Sequence, residues 1–347
     1  MKDIKPVLGI TMGDVCGCGP EITVKALMKE ETRRLCNPII IGSGAMVARA
    51  MRALGVSLPI HRVDDVDEAV FLPGTVNVYE TPFAGIEEEL PYGQVTVAGG
   101  ESAFSAVKKA IELALEGRLD GTVTGPLHKE SLQLAGHHYA GHTEIYADLT
   151  GTTDYAMMLA NDDLRVVHVS THVSLREACD RVKKDRVHRV IHLAHRACLD
   201  LGIDHPKIAV AGLNPHAGES GLFGMEEIQE IAPAIDMAVS DGLTVEGPIP
   251  PDTVFSKALG GMYDVVIAMY HDQGHIPLKT NGFTYNHAES RWETVDGVNI
   301  TLGLPIIRVS VDHGTAFGKA GKGTASSESM ESAIAYGARF AGRRIHA

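Results

Sequence analysis

Lys207-Ile208-Ala209-Val210-Ala211-Gly212-Leu213-Asn214-Pro215-His216 is an apolar run that breaks on a Gly/Asn/Pro turn and delivers a histidine. Apolar residues on successive positions describe a strand covered on both faces, the kind that parallel sheets bury between helices. Two other stretches repeat the pattern: Leu164-Arg165-Val166-Val167-His168-Val169-Ser170-Thr171 leads to His172, and Val265-Val266-Ile267-Ala268-Met269-Tyr270 leads to His271. Outward from these, strands are expected at Val7–Thr11, Pro38–Ile41, Thr75–Val78, Gly121–Thr124 and Ile306–Val311. Helical patterns fall between them at Pro20–Lys29, Ala45–Leu54, Gly100–Leu115, Asp185–Leu201, Met225–Val239 and Ser327–Ala341. This alternation reads as an α/β fold with mostly parallel sheets. At roughly 150 residues per domain, 347 residues suggest two domains.

Composition narrows the function classes. A hydrophobic fraction of 44% with 22% charged residues is that of a folded globular chain, not a disordered one. Thirty-one basic and forty-four acidic residues give a net charge of −13, and no Lys/Arg run offsets it, so nucleic acid is not an expected partner. No apolar stretch approaches the ~20 residues of a membrane span, and no secretory leader pattern is evident, so a cytoplasmic enzyme is expected. The five cysteines (Cys16, Cys18, Cys36, Cys179, Cys198) lack C-x-x-C spacing, and Cys16 and Cys18 read as small buried thiols. Phe83–Gly93 and Thr284–Asp296 stand out as excursions, the latter holding the only tryptophan.

Histidine is abundant, seventeen in all. His172, His216 and His271 each lie just beyond the C-terminal end of a buried strand, the edge where open α/β sheets bind ligands. Three neutral imidazoles converging there would hold a divalent ion with positions left for substrate, where it could act as a Lewis acid. Any one of them alone would more simply be structural. Gly141-His142-Thr143-Glu144 opens a helix whose N–H groups suit an anion, although the segment equally suits an ordinary cap. Gly13-Asp14-Val15-Cys16-Gly17-Cys18-Gly19-Pro20 is a glycine-rich strand-to-helix loop that matches neither a Walker A nor a G-x-G-x-x-G pattern. Ile41-Gly42-Ser43-Gly44-Ala45-Met46-Val47 comes closer to the dinucleotide fingerprint, with Asp64 downstream, but Val47 stands at the third glycine position. Asp312-His313-Gly314-Thr315-Ala316, followed by Ala320-Gly321-Lys322-Gly323, is a ligand loop in which Lys319 and Lys322 could offset negative charge. It resembles the cofactor loop of β-decarboxylating dehydrogenases, which implies NAD or NADP bound by Asp312, His313, Gly314, Thr315, Ala316, Gly321 and Gly323.

Taken together, Ile10-Thr11-Met12-Gly13-Asp14, Gly19-Pro20-Glu21, Thr124-Gly125-Pro126, Gly141-His142-Thr143-Glu144, Asn214-Pro215-His216-Ala217-Gly218-Glu219, Tyr270-His271-Asp272-Gln273-Gly274-His275 and Asn299-Ile300-Thr301-Leu302-Gly303-Leu304-Pro305 resemble the 4-hydroxythreonine-4-phosphate dehydrogenase family. The resemblance implies a two-domain isocitrate/isopropylmalate dehydrogenase-like fold with an interdomain cleft. Residues 1–126 plus 300–347 would form the first domain, with the cofactor loop at 312–325, and residues 127–299 the second, with the metal, the substrate residues and the dimer interface. It implies a homodimer with its active site at the subunit interface and one divalent ion (Zn, Co, Mg, Mn or Ni) on His172, His216 and His271. Substrate contacts carry over to His142, Thr143, Lys279, Asn299 and Arg308, and Asp272 or Lys279 stands as proton acceptor. Asp272 is equally suited to orienting an imidazole. The implied reaction is NAD(P)-linked oxidation and decarboxylation of a small 4-phosphorylated hydroxy acid. The sequence departs from the family at Val15-Cys16-Gly17-Cys18 and at the extra Thr284–Asp296 segment. That segment resembles the branch acting on D-threonate or D-erythronate 4-phosphate rather than on 4-phosphooxy-L-threonine of pyridoxal phosphate biosynthesis, though it also fits a surface hairpin without a role in selectivity. A phosphate acyltransferase-like enzyme, a metal-dependent hydrolase, an aromatic dihydrodiol dehydrogenase and a non-catalytic binding protein are the competing readings.

Overall fold

The structure, a computed structural model, describes residues 5–82, 90–286, 291–295 and 297–346, with only the backbone described at 284–286, 291–295 and 346. Most of the acidic excursion expected at Phe83–Gly93 therefore lies outside the described residues, as does the start of the chain. The chain divides into two compact units, Met1–Thr153 with Leu304–Ala347, and Asp154–Gly303. In chain order the first holds β1 (Val7–Thr11), α1 (Gly19–Met28), α2 (Glu30–Leu35), β2 (Asn37–Gly42), α3 (Gly44–Leu54), β3 (Ile60–Val63), β4 (Val76–Glu80), α4 (Val97–Leu115), β5 (Gly121–Thr124), α5 (Lys129–Leu134) and α6 (His142–Leu149). The second holds β6 (Ala156–Ala160), β7 (Arg165–His168), α7 (Leu175–Arg181), α8 (Lys184–Asp200), β8 (Lys207–Ala211), α9 (Ala232–Ser240), β9 (Thr244–Ile249), α10 (Pro251–Leu259), β10 (Val265–Ala268), α11 (His271–Gly282), β11 (Phe283–Asn286), β12 (Arg291–Val295) and β13 (Val298–Leu302). The chain then returns to the first unit with β14 (Arg308–Val311) and α12 (Glu328–His346). Among the described residues no helix is long and apolar enough to cross a membrane.

In the first unit six strands run parallel in the order β3-β4-β2-β1-β5-β14. Their apolar side chains pack with α4, α5 and α6 through Ile39, Ile41, Val107, Ile111, Leu132, Ile145 and Tyr146. Leu132, Ile145 and Tyr146 belong to this core, so the first compact unit runs past the approximate boundary expected near 126. The segment carrying α5 and α6 is glued to the first core, so the unit extends to Thr153. His142 and Thr143 accordingly belong to the first unit and not to the second.

The second unit is ordered β13-β6-β7-β10-β8-β9. Strands β7, β10, β8 and β9 are parallel, while β6 runs antiparallel to both β7 and β13. Val166, Ala209, Ala211, Val254, Val266 and Leu278 form its core. Because β10 pairs β7 at Ala268↔His168 and β8 at Ile267↔Val210, the C-terminal ends of β7, β10 and β8 lie side by side. Within the inserted segment the described residues form an antiparallel pair, β11 pairing β12 from Phe283↔Val295 to Asn286↔Arg291. The helix expected over Met225–Val239 is divided. Glu227–Ile231 is a π-helical turn, and α9 follows with Pro233, which has no N–H to give, in its first turn.

Helix α11 lies close on β7, and Gly274 makes this possible. A Cβ built there would sit 2.3 Å from His168 Nε2 and 2.7 Å from Val166 Cγ1. In an exposed helix Gly→Ala would gain up to about 1 kcal/mol. Here His168 is fully buried and its Nδ1–H is donated to Met157 O at 3.3 Å, so it cannot step aside cheaply. Overpacking of this kind costs about 1–3 kcal/mol, so the clash wins. Gly274→Ala is expected to lower stability by about 1–2 kcal/mol in urea unfolding. An unchanged or raised midpoint would refute the packing argument.

Candidate functional site

The three strand-end histidines occupy neighbouring positions because β10 lies between β7 and β8. Two side chains tie these ends together. Gln273 donates Nε2–H to Gly212 O beyond β8 at 2.8 Å and accepts Met269 N–H beyond β10 at 2.6 Å. Ser170, beyond β7, donates to the carbonyl of that same residue, Met269, at 3.0 Å. The rings of His172 and His271 stand 5.8 Å apart, tilted by 43°. A cavity of about 440 Å³ opens there, lined by Thr171, His172, Ser174, Tyr270, His271 and Asp272 among others.

Beneath His271 the rings are held neutral. His275 stacks on it at 3.6 Å and donates Nδ1–H to the His271 carbonyl at 2.9 Å. Burial pulls His275 down to about 3 and His168 down to about 4, so neither adds charge near neutral pH. Asp272 accepts His271 Nδ1–H at 2.7 Å, which leaves Nε2 as the lone-pair nitrogen. An imidazole whose Nδ1–H is held in this way has the tautomer that ligates a metal. Lys279 lies two turns further along α11, its Nζ 5.9 Å from the Phe283 ring. Asn299 is on β13, separated from β10 in the sheet order by β6 and β7.

His216 is held differently. Residues His216, Ala217, Gly218, Glu219 and Ser220 all have positive φ, a complete left-handed turn after β8. For an L-residue that conformation costs about 1–2 kcal/mol, so something must enforce it. The enforcer is Glu227, which is 2% exposed. Its Oε1 accepts Leu213 N–H and Asn214 N–H, each at 2.7 Å, and its Oε2 accepts Asn214 Nδ2–H at 3.0 Å. Gly218 makes room for the carboxylate, since a Cβ there would meet Oε2 at 2.7 Å. The three strand-end histidines are not drawn into a tight ligand set. Among the described residues, the group whose ligand atoms all lie within 4.8 Å of one another is His188, His192 and Asp241. In residue type, strand-end position and the orienting carboxylate, His172, His216 and His271 still fit a divalent ion.

In the first unit, buried cationic and imidazole groups meet at the start of α6. His142 is 9% exposed, and its Nε2 makes no hydrogen bond among the described residues. Burial, reinforced by the nearby Arg308, holds its pKa well below the ordinary value. Arg308 is 3% exposed, donates to Thr124 Oγ1 at 3.3 Å and lies 5.8 Å from the Tyr146 ring. Burial lowers Arg308 to about 10, still charged at neutral pH. Tyr146 in turn donates its hydroxyl to Thr122 Oγ1 at 2.9 Å. Thr143 follows His142 in the first turn of α6.

The expected cofactor loop follows β14 and is anchored from α1. Glu21, 1% exposed, accepts N–H from Gly321 and, at 2.8 Å, from Gly323. Lys25 donates to Gly323 O and Ala325 O at 2.8 and 2.7 Å. Asp312 N–H is donated to Ser329 Oγ at 3.2 Å, His313 Nδ1–H to Gly314 O at 2.9 Å, and Thr315 O accepts Cys18 N–H at 2.8 Å. Ala316 is itself left-handed, and Gly314 has open space around it. Two sequence features resolve as structural. The Gly13–Pro20 loop is buried throughout, packed on Pro126 and Thr315, with Cys16 and Cys18 as buried free thiols. At the Gly42-Ser43-Gly44 near-fingerprint, Glu80 accepts Gly44 N–H at 3.1 Å, so a carboxylate already sits where a pyrophosphate would have to bind. Sequence reading missed Gln273, Ser170, Glu227 and His275. For Glu227 the available signal was an acidic pair opening an otherwise apolar helical stretch.

With this geometry in place, comparison with known proteins is decisive about family. The model of the family described as pyridoxal phosphate biosynthetic protein PdxA matches residues 34–337. D-threonate 4-phosphate dehydrogenase of Salmonella typhimurium is 49% identical over 94% of this chain and 96% of its own, and that of Cupriavidus necator is 44% identical over 99% and 100%. A solved 4-hydroxythreonine-4-phosphate dehydrogenase from Klebsiella pneumoniae superposes with a TM-score of 0.85 at 44% identity, covering 98% of this chain and 99% of that one. The chain belongs to the PdxA family of dehydrogenases.

Proposed function

We propose that this protein catalyses the NAD(P)-linked oxidation and decarboxylation of D-threonate 4-phosphate. The observation that carries the reading is near-full-length identity of 44–49% to dehydrogenases of that substrate. The extra hairpin β11–β12 is the element we assign to the choice of a 2-hydroxy acid over 4-phosphooxy-L-threonine, and D-erythronate 4-phosphate is the closest further substrate. Oxidation at C3 gives a β-keto acid, and loss of C1 as carbon dioxide then leaves dihydroxyacetone phosphate. The two electrons and the C3 hydrogen leave as hydride to the nicotinamide.

His172, His216 and His271 are the proposed ligands of one divalent ion of the Zn, Co, Ni, Mn or Mg type. Such an ion supplies Lewis-acid polarisation of the substrate oxygen. Asp272 fixes the His271 tautomer. Lys279 is the proposed group that takes the C3 hydroxyl proton at Nζ, and Asn299 is a substrate contact. Arg308 carries the charge that holds the phosphate. His142, kept neutral by burial, contributes a hydrogen bond without a second charge, and Thr143 adds its hydroxyl. Asp312, His313, Gly314, Thr315, Ala316, Gly321 and Gly323 are the proposed cofactor residues. We further assign a homodimeric assembly with the active site at the subunit interface, and a cytoplasmic setting. The acyltransferase-like alternative is disfavoured by family membership.

The deciding assay offers D-threonate 4-phosphate, D-erythronate 4-phosphate and 4-phosphooxy-L-threonine in parallel with NAD or NADP. Chelator-sensitive NADH or NADPH and stoichiometric dihydroxyacetone phosphate from the first are expected. Preference for the amino acid would overturn the substrate assignment. His271→Ala is expected to lower kcat/KM by about a hundredfold or more with the fold retained; near-normal turnover in that variant would remove the strand-end metal from the account. Glu227→Gln retains shape but weakens the charge-assisted bonds that hold the left-handed turn, and is expected to reduce metal affinity about tenfold. Unchanged affinity would show that the turn needs no such clamp.

A further inference from the structure

A second cluster of metal-ligating side chains lies on different elements from those just described. His188 and His192 are one helical turn apart on α8, so their side chains share a face. Asp241 is the residue that follows α9. His188 Nε2 and His192 Nε2 lie 2.7 and 2.8 Å from the same Asp241 Oδ2, and 3.2 Å from each other. The rings meet edge to face at 73°, with centroids 4.6 Å apart, so it is their nitrogen edges that converge.

No proton arrangement satisfies all three contacts. If both Nε2 atoms donate to the carboxylate, two N–H groups crowd side by side onto one oxygen with their nitrogens only 3.2 Å apart, and neither nitrogen can accept from the other. If only one donates, the other nitrogen points a lone pair at a carboxylate oxygen. One cation at the point of convergence would satisfy all three lone pairs. Two tetrahedral zinc–nitrogen bonds of 2.0–2.1 Å place their nitrogens about 3.3 Å apart, close to the separation present. Asp241 has a side chain that is 45% exposed, so it can retreat by the few tenths of an ångström an intervening ion requires. Two neutral imidazoles and one carboxylate suit a divalent first-row ion, and the chain's net charge of −13 favours cations near its surface.

We propose that His188, His192 and Asp241 form a peripheral binding site for a zinc-type divalent ion, with water completing the coordination. The ion bridges the middle of α8 to the end of α9. It takes no part in the dehydrogenase reaction, and the site does not depend on the function proposed above.

The test is metal stoichiometry on the full chain. Zinc-free protein is dialysed against micromolar zinc, and bound metal is counted for the parent, His192→Ala and Asp241→Asn, each in the wild-type and in the His172→Ala/His271→Ala backgrounds. Melting of the zinc-free proteins confirms folding. The expected result is one equivalent fewer in His192→Ala in both backgrounds, at least tenfold weaker binding of that equivalent in Asp241→Asn, and unaltered turnover in His192→Ala. Cobalt substituted for zinc in the His172→Ala/His271→Ala background should show the visible absorption of a four-coordinate site. Equal zinc content with and without His192 would overturn the site. So would a His172→Ala/His271→Ala protein that retains no zinc.

Discussion

The insertion of β10 in parallel between β7 and β8 is the constraint on which the site depends. It brings together three strand ends that are far apart in sequence, each followed within a few residues by a histidine, His172, His216 or His271. A parallel arrangement by itself fixes only the strands; the loops beyond them need separate restraint. Gln273 and Ser170 supply it by converging on the backbone of Met269, so that the ends of β7, β10 and β8 share one hydrogen-bonded junction. Gly274 lets α11 descend close enough to β7 for His271 to begin that helix at the junction.

A second regularity concerns backbone N–H groups that could attract anions. At three loops a protein carboxylate already occupies them: Glu80 at the start of α3, Glu21 under the 321–323 turn, and Glu227 inside the 212–218 turn. In the last two cases the carboxylate shapes a loop that offers its other side chains and backbone outward. At the start of α6 the groups brought together are instead His142 and Arg308, both buried, with Arg308 donating to Thr124 Oγ1.

Much of this was legible in the residues. Continuous apolar runs gave the parallel strands β1, β2, β5, β7, β8, β10 and β14 to within a few positions. The strand-end histidines followed from the same runs. Strand β6 escaped because Ala156-Met157-Met158-Leu159-Ala160 has no β-branched residue. Strand β9 escaped because Gly247-Pro248 reads as a break, which its position at the sheet edge tolerates. The boundary between the units was legible only approximately, because nothing in the local pattern of α5 and α6 says which core they join. Glu227, Gln273 and Ser170 were not readable because their roles consist of contacts across long sequence separations.

The central claim is that the three strand ends hold the ion that serves the reaction. Anomalous diffraction from crystals grown with cobalt and D-threonate 4-phosphate tests it most directly. The account predicts a cobalt peak within bonding distance of His172, His216 and His271, with substrate oxygen completing its coordination. A fully bound substrate with no anomalous peak at those three histidines would contradict it.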